Sequence, residues 1–86
     1  MPEISRFLGI VISINYNDHS PPHFHVKYNE HRAMFSIKSL ELIEGFLPKR
    51  IVILVLEWGY DHRDDLMENW NLAQAKQPLK KIEPLI

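Results

Sequence analysis

Three of the five histidines in this chain of 86 residues fall in one short run, His19-Ser20-Pro21-Pro22-His23-Phe24-His25. Imidazole titrates nearest neutral pH, so it can serve as a general acid, a general base or a metal ligand. His23 and His25 are two positions apart. On an extended strand both side chains therefore leave the same face, about 7 Å apart along it. Two imidazoles so placed can share a divalent metal ion or act as an acid–base pair. Asp18 and His19, in the preceding turn, each offer a third ligand, so the metal candidates are His19, His23 and His25 with Asp18 beside them. Pro21-Pro22 stiffens the approach of that turn to the strand. A His-x-His pair alone is a weak signal, and two polar residues on a solvated sheet face are the plain alternative.

His62 is the second chemical feature. It shares a 3–4-spaced stripe with Trp58, Leu66 and Asn69, and Asp65 lies close to the same sector. At about 100° per residue Asn69 falls roughly 20°, and Asp65 roughly 60°, from His62 around a helix. Polar groups on a core-facing stripe need partners, since unpaired burial costs about 1–3 kcal/mol per group. A hydrogen-bonded histidine at the rim of the core is the simplest account; a catalytic set of His23, His25 and His62 is the sharper one. Strand alternation opposes the composite, because it sends His23 and His25 away from the helix and His62 toward the sheet. A third set, Arg6, Lys27, Arg32 and Lys38, makes the sheet side positive, against an acidic helix with Glu57, Asp61, Asp64, Asp65 and Glu68. A basic face bearing histidines can contact RNA phosphates and assist their cleavage by proton transfer. Asp18, His19, Lys27, Arg32, Asp65 and Asn69 are the candidate binding residues.

The elements that must position these groups follow from periodicity. Ile4–Phe7, residues 10–16, His23–Tyr28 and His31–Ile37 alternate as strands, and Leu40–Ile43 adds a short piece. Gly9 marks a turn, and Asn29-Glu30 a two-residue connection that sets Phe24 against Phe35, Val26 against Ala33 and, less favourably, Lys27 against Arg32. From Pro48 the period changes to 3.6 and runs through Ile51, Leu54, Val55, Trp58, His62, Leu66, Trp70 and Ala73 to about Lys76. Gly59 within that stretch predicts a break or kink near Gly59-Tyr60. The expectation is an α+β fold: a small antiparallel sheet of three or four strands packed against one long C-terminal helix. It forms a single domain over 1–86, with strands over 4–43, the helix over 48–76 and a tail over 77–86 whose Leu79, Ile82 and Leu85 can fold back. Residues 51–56 are apolar all round, which predicts either that tail or a homodimer through the start of the helix.

Composition bounds the rest. There are no cysteines, so neither a disulfide nor a zinc ribbon staples a chain this small. A net charge of −1 argues against bulk attraction to nucleic acid and leaves only a local basic face. The opening MPEISRF lacks the pattern of a signal peptide, and the apolar run Ile51–Leu56 falls far short of a membrane span. A cytoplasmic address with no membrane partner is expected. No phosphate-binding glycine loop, nucleophile elbow or helix-turn-helix stands out.

Taken together, the blocks MPEISRFLGIVI, NDHSPPHFHVKY, LPKRIVILVLEW, NW and PLKKIEPL resemble a small bacterial family of unknown function with a PPHFHV motif. The resemblance covers nearly the whole chain, and Pro21, Pro22, His23, Phe24, His25, Glu57, Trp58, His62, Asn69 and Trp70 match its pattern. Asn29 stands where that family has Gly, and Gly59 where it has a helix former. What the resemblance implies is a component of a toxin–antitoxin-like module with a cognate small protein from an adjacent gene. The residues themselves add the expectation that binding, of that partner and of RNA as a candidate second ligand, uses the His19–His25 rim. A histidine-based or metal-dependent hydrolase or ribonuclease is the alternative from another class, and a structural, dimer-forming accessory protein is a third.

Overall fold

The alternating first half of the chain becomes five strands and the 3.6-residue half becomes two helices. A computed structural model describes residues 2–86. Strands β1 (Glu3–Phe7), β2 (Ile10–Ser13), β3 (His23–Tyr28), β4 (His31–Ser36) and β5 (Leu42–Gly45) form one antiparallel sheet in chain order. Helices α1 (Lys49–Asp61) and α2 (Arg63–Gln74) follow. The class is α+β as expected, with five strands where three or four are expected and two helices where one is. Strand β2 ends at Ser13 rather than running to 16, and the last strand lies at Leu42–Gly45 rather than Leu40–Ile43 because Leu40 turns with φ 59°.

Turn chemistry sets the registers. Leu8 and Gly9 both have positive φ, 51° and 78°, which gives the two-residue hairpin turn between Phe7 and Ile10. Asn29 at φ 53° does the same service between Tyr28 and His31. The β3–β4 register is the one the alternation predicts: Phe24 faces Phe35, Val26 faces Ala33, and Lys27 faces Arg32. The rings of Phe24 and Phe35 stack with centroids 5.6 Å apart. Phe7, Ile10, Ile12, Phe24, Val26 and Phe35 are buried together with Ile51, Val55 and Trp58 of α1. Trp58 is the keystone, with Phe7 and Phe24 at 5.6 and 6.1 Å and its indole N–H donated to the Glu83 carbonyl at 2.8 Å.

The single long helix is corrected. A continuous helix over 48–76 would be roughly 43 Å long at 1.5 Å per residue, against 33 Å for the longest axis of the molecule. The chain breaks at His62 (φ −121°, ψ 24°), whose N–H still bonds to the carbonyls of Trp58 and Gly59. Asp64 and Asp65 occupy the first turn of α2, where acidic groups suit the positive end of the helix dipole. Gly59 is therefore not the break. It is buried where the helix passes Leu40: a Cβ there would lie 3.2 Å from Leu40 Cδ2.

The tail folds back onto the sheet and the helices. Ile82 donates its N–H to the Ile4 carbonyl at 2.8 Å and is itself buried. Asn69, expected as a binding residue, instead clamps the tail from both ends of its amide. Its Nδ2 donates to the Lys80 carbonyl at 2.9 Å, and its Oδ1 accepts the Lys80 N–H at 2.8 Å. Of the apolar helix start, Ile51 and Val55 enter the core and Ile53 stays exposed. No described helix is long and apolar enough to cross a membrane.

Two glycines separate backbone need from packing. Gly45 has φ 93°, and an added Cβ would lie 2.8 Å from Ala33 Cα and closer still to the Arg32 carbonyl oxygen. Gly45→Ala should cost about 2–3 kcal/mol in urea unfolding. Gly59→Ala trades roughly 1 kcal/mol of helix propensity against a yielding Leu40 side chain and should stay within about 1 kcal/mol of wild type.

Candidate metal centre

The connection from β2 to β3, residues 14–22, carries Asp18 back over the start of β3. Three bonds to the last residue of α2 and the residues just after it hold it there. Gln74 Nε2 donates to the Asp18 carbonyl at 3.0 Å, Lys76 Nζ to Asn17 Oδ1 at 3.1 Å, and the Tyr16 hydroxyl to the Gln77 carbonyl at 3.0 Å. In that position one carboxylate oxygen, Asp18 Oδ2, lies 3.0 Å from His23 Nε2 and 2.9 Å from His25 Nε2. The two rings meet edge to face with centroids 5.1 Å apart.

Strand alternation places both histidines on one face, as expected, but they are not equivalent there. His25 lines the open outer face of the sheet. His23 is 5% exposed and rests on the Trp70 ring of α2, 5.1 Å between centroids. The expected exposed rim is thus half buried: turning the chain at His62 lets α2 reach the end of β3 and cover its first residue. His19 is exposed and lies outside the cluster; the third group is Asp18.

The hydrogen bonds around the cluster do not close. His23 Nδ1 lies 2.8 Å from the Pro21 carbonyl oxygen, which can only accept, so Nδ1 carries the hydrogen. His23 Nε2 then faces Asp18 either as a second N–H, making the ring an imidazolium, or as a lone pair aimed at an oxygen. His25 Nε2 is approached by the Asp18 carboxylate, which needs a donor, and by Asn15 Nδ2 at 3.2 Å, which needs an acceptor. One nitrogen cannot satisfy both. The other end of the Asn15 amide, Oδ1, is buried with no partner among the described residues. With the amide reversed, His25 Nε2–H is shared between Asp18 Oδ2 and the Asn15 oxygen, and the amide nitrogen becomes the buried end without a partner. Burial pushes the Asp18 carboxyl up, but the hydrogen bond from His25, the charges on His23 and His25 and the bond from His23 outweigh it, and its pKa lies below the usual carboxylate value.

Two imidazole nitrogens and a carboxylate oxygen, all within 4.8 Å of one another, are a donor set for one divalent cation. Ligand atoms about 2.1 Å from a shared ion stand roughly 3 Å apart when they meet it at right angles. The observed separations from Asp18 Oδ2 are of that size. The Nδ1–H of His23 on a backbone carbonyl is also the arrangement that leaves Nε2 free as a ligand.

The remaining candidates lie elsewhere. His62 packs on Trp58 at 5.4 Å and holds Asp65 Oδ2 at 3.3 Å, beside a cleft lined by Glu68, Asn69 and Lys80. The structure does not bring it to His23 and His25. Lys27 and Arg32 lie on the outer face beside His25. Asn15, Tyr16, Trp70 and Gln74 complete the surroundings of the centre. Of these only Trp70 stands out in the sequence, as part of the NW block.

The difference between the two histidines is measurable. His23→Ala removes a buried ring, strands the Pro21 carbonyl and leaves Asp18 with His25 alone, and should cost roughly 1–3 kcal/mol in thermal unfolding. His25→Ala, on the open face, should cost less than about 1 kcal/mol.

No curated protein and no solved structure matches the chain. A family model does match, that of the Domain of unknown function (DUF4160), over residues 9–71. That stretch holds β2 to β5, α1, the first part of α2 and all of Asp18, His23 and His25, and the chain belongs to this family.

Proposed function

We propose that the chain is a metal-dependent hydrolase in which Asp18, His23 and His25 are the protein ligands of one divalent ion. The observation that carries the reading is the convergence of two imidazole nitrogens on a single oxygen, Asp18 Oδ2, at 3.0 and 2.9 Å. An ion among them would take both facing nitrogens and Asp18 Oδ2 as ligands, with the His23 Nδ1–H already held by the Pro21 carbonyl. Three protein ligands leave coordination positions open, which is the pattern of catalytic rather than structural sites. A bound ion supplies a polarised substrate oxygen and a water whose pKa falls to about 7. The protein's part is to orient His23 through Pro21 and Trp70, to hold Asp18 through α2, and to present His25 to the open face. Nitrogen and oxygen donors without thiolate suit zinc, manganese, iron, cobalt or nickel.

Protein purified without a histidine tag should carry or take up one such ion per chain. Free metal at a hundred times Kd adds about 2.7 kcal/mol, which for a domain of this size raises Tm by on the order of 10 °C. Asp18→Asn and His25→Ala should abolish that rise. A wild-type protein that takes up no ion, or variants that respond as wild type does, sinks the metal centre. Expression of wild type against His25→Ala, scored for growth arrest and RNA integrity, tests catalysis; identical behaviour removes it.

A second reading, partner binding in a toxin–antitoxin-like module, is favoured by β5. This strand ends the sheet, is exposed at all four positions, and sets Leu42 and Ile43 near the exposed Phe46. An edge of this kind accepts a further strand. Coexpression with the product of the adjacent gene should give a complex that Ile43→Lys weakens at least tenfold or so; a monomer beside a free partner ends that reading.

A further inference from the structure

Resting on the metal reading, we infer that the group bound beside the ion is a phosphoryl group of a phosphate ester, held by Lys27 and Arg32. These residues are direct partners in the β3–β4 register, and Lys27 follows His25 on the same face of the same strand. Val11, Ser13, His25, Lys27 and Arg32, with Glu3 at the side, line a cavity of about 160 Å³ on that face. Like charges placed directly across a ladder oppose the sheet. No carboxylate pairs with either cation among the described residues: Glu3 is occupied by Arg6 through two contacts of 3.0 and 2.8 Å, and Glu44, which shares a neighbouring pocket with Arg32, makes no ion pair with it. In a chain of net charge −1 the concentration of positive charge at this spot does not come from a generally basic surface.

An anion in the cavity relieves the repulsion, and the donors present narrow its kind. A guanidinium fork together with an ammonium suits a group with three or more oxygens better than a planar carboxylate with two. The cations begin one strand repeat, about 7 Å, from the His25 position, so a phosphoryl oxygen on Lys27 and Arg32 leaves the rest of the ester directed at the Asp18–His23–His25 centre. The reaction at that centre is hydrolysis. A water oxygen forms a bond to phosphorus, an ester P–O bond breaks, and the proton lost by the water ends on the leaving oxygen. Nothing is oxidised or reduced. Lys27 and Arg32 bind the ester and stabilise its charge; they do not hold the ion.

The test is titration of the metal-loaded full chain with inorganic phosphate and with bis(p-nitrophenyl) phosphate, together with the rate of nitrophenol release from the diester. Lys27→Ala and Arg32→Ala should each weaken binding about tenfold and raise KM more than they lower kcat, with metal content unchanged. Lys49→Ala, at the start of α1, should bind as wild type does. A single-stranded oligoribonucleotide forms a third arm. Tighter binding than the diester, falling steeply with salt, identifies the phosphoryl group as that of RNA; binding no tighter identifies a small ester, and either supports the site. Metal-loaded Lys27→Ala and Arg32→Ala proteins that bind both phosphates as wild type does overturn the inference while leaving the metal centre standing. Phosphate binding that depends on Lys27 and Arg32 in a protein that takes up no ion keeps the anion site and overturns the metal reading instead.

Discussion

The arrangement of the site depends on the break at His62, which divides the apolar helical stretch into two helices that pack separately. Breaking at His62 lets α1 keep Trp58 over Phe7 and Phe24 while α2 takes a new course to the far end of β3. There Trp70 covers His23, and Gln74 and Lys76 seize the loop that carries Asp18. Without α2 in that place, Asp18 would belong to a nine-residue connection free to lie elsewhere, and His23 would be a solvated residue at a strand end. The break costs one turn of helical hydrogen bonding at most, since the His62 N–H and carbonyl are both still used.

A cluster assembled this way differs from one built on a single element. Two ligand candidates come from a rigid strand, which fixes their spacing, and the third comes from a loop held by a helix. The strand pair is shaped locally, by extended backbone; the carboxylate depends on contacts between residues more than fifty positions apart, such as Gln74 with Asp18. Burial is uneven as a result. His23 is a wall of the core as much as a member of the site, whereas His25 opens onto the outer sheet face. That face also holds the Lys27–Arg32 pair, a local electrostatic cost that the ladder tolerates because both long side chains reach solvent.

The polar groups of the helices divide between structure and surface. Asn69 is wholly spent on the Lys80 backbone, and the Trp58 indole on Glu83, so the helix stripe that turns polar does so to bind the tail. The tail in turn buries Ile82 and bonds to β1 through it. A short chain without disulfides gains core in this way from residues after its last helix, at a size where the buried fraction of the surface is otherwise small.

Much of this was legible in the residues alone. The span of β3, the Asn29-Glu30 turn and the Phe24–Phe35 and Lys27–Arg32 pairings follow from alternation and turn chemistry, both of which act between neighbours in the chain; the end of β2 and the place of β5 do not. The common face of His23 and His25 follows from the same period of two, and Asp18 was already within reach as a third ligand. Other features had no local signal. Gly59 is the residue that propensity singles out as a helix breaker, yet it continues the helix with Leu40 close against it, and the break falls three residues on, at His62. Strand period says which side of the sheet His23 leaves, but not that a second helix waits there to bury it. The spacing of two histidines was determined by the sequence. Which third group joins them, and how deeply each lies, was decided by tertiary packing, because those depend on where distant segments come to rest.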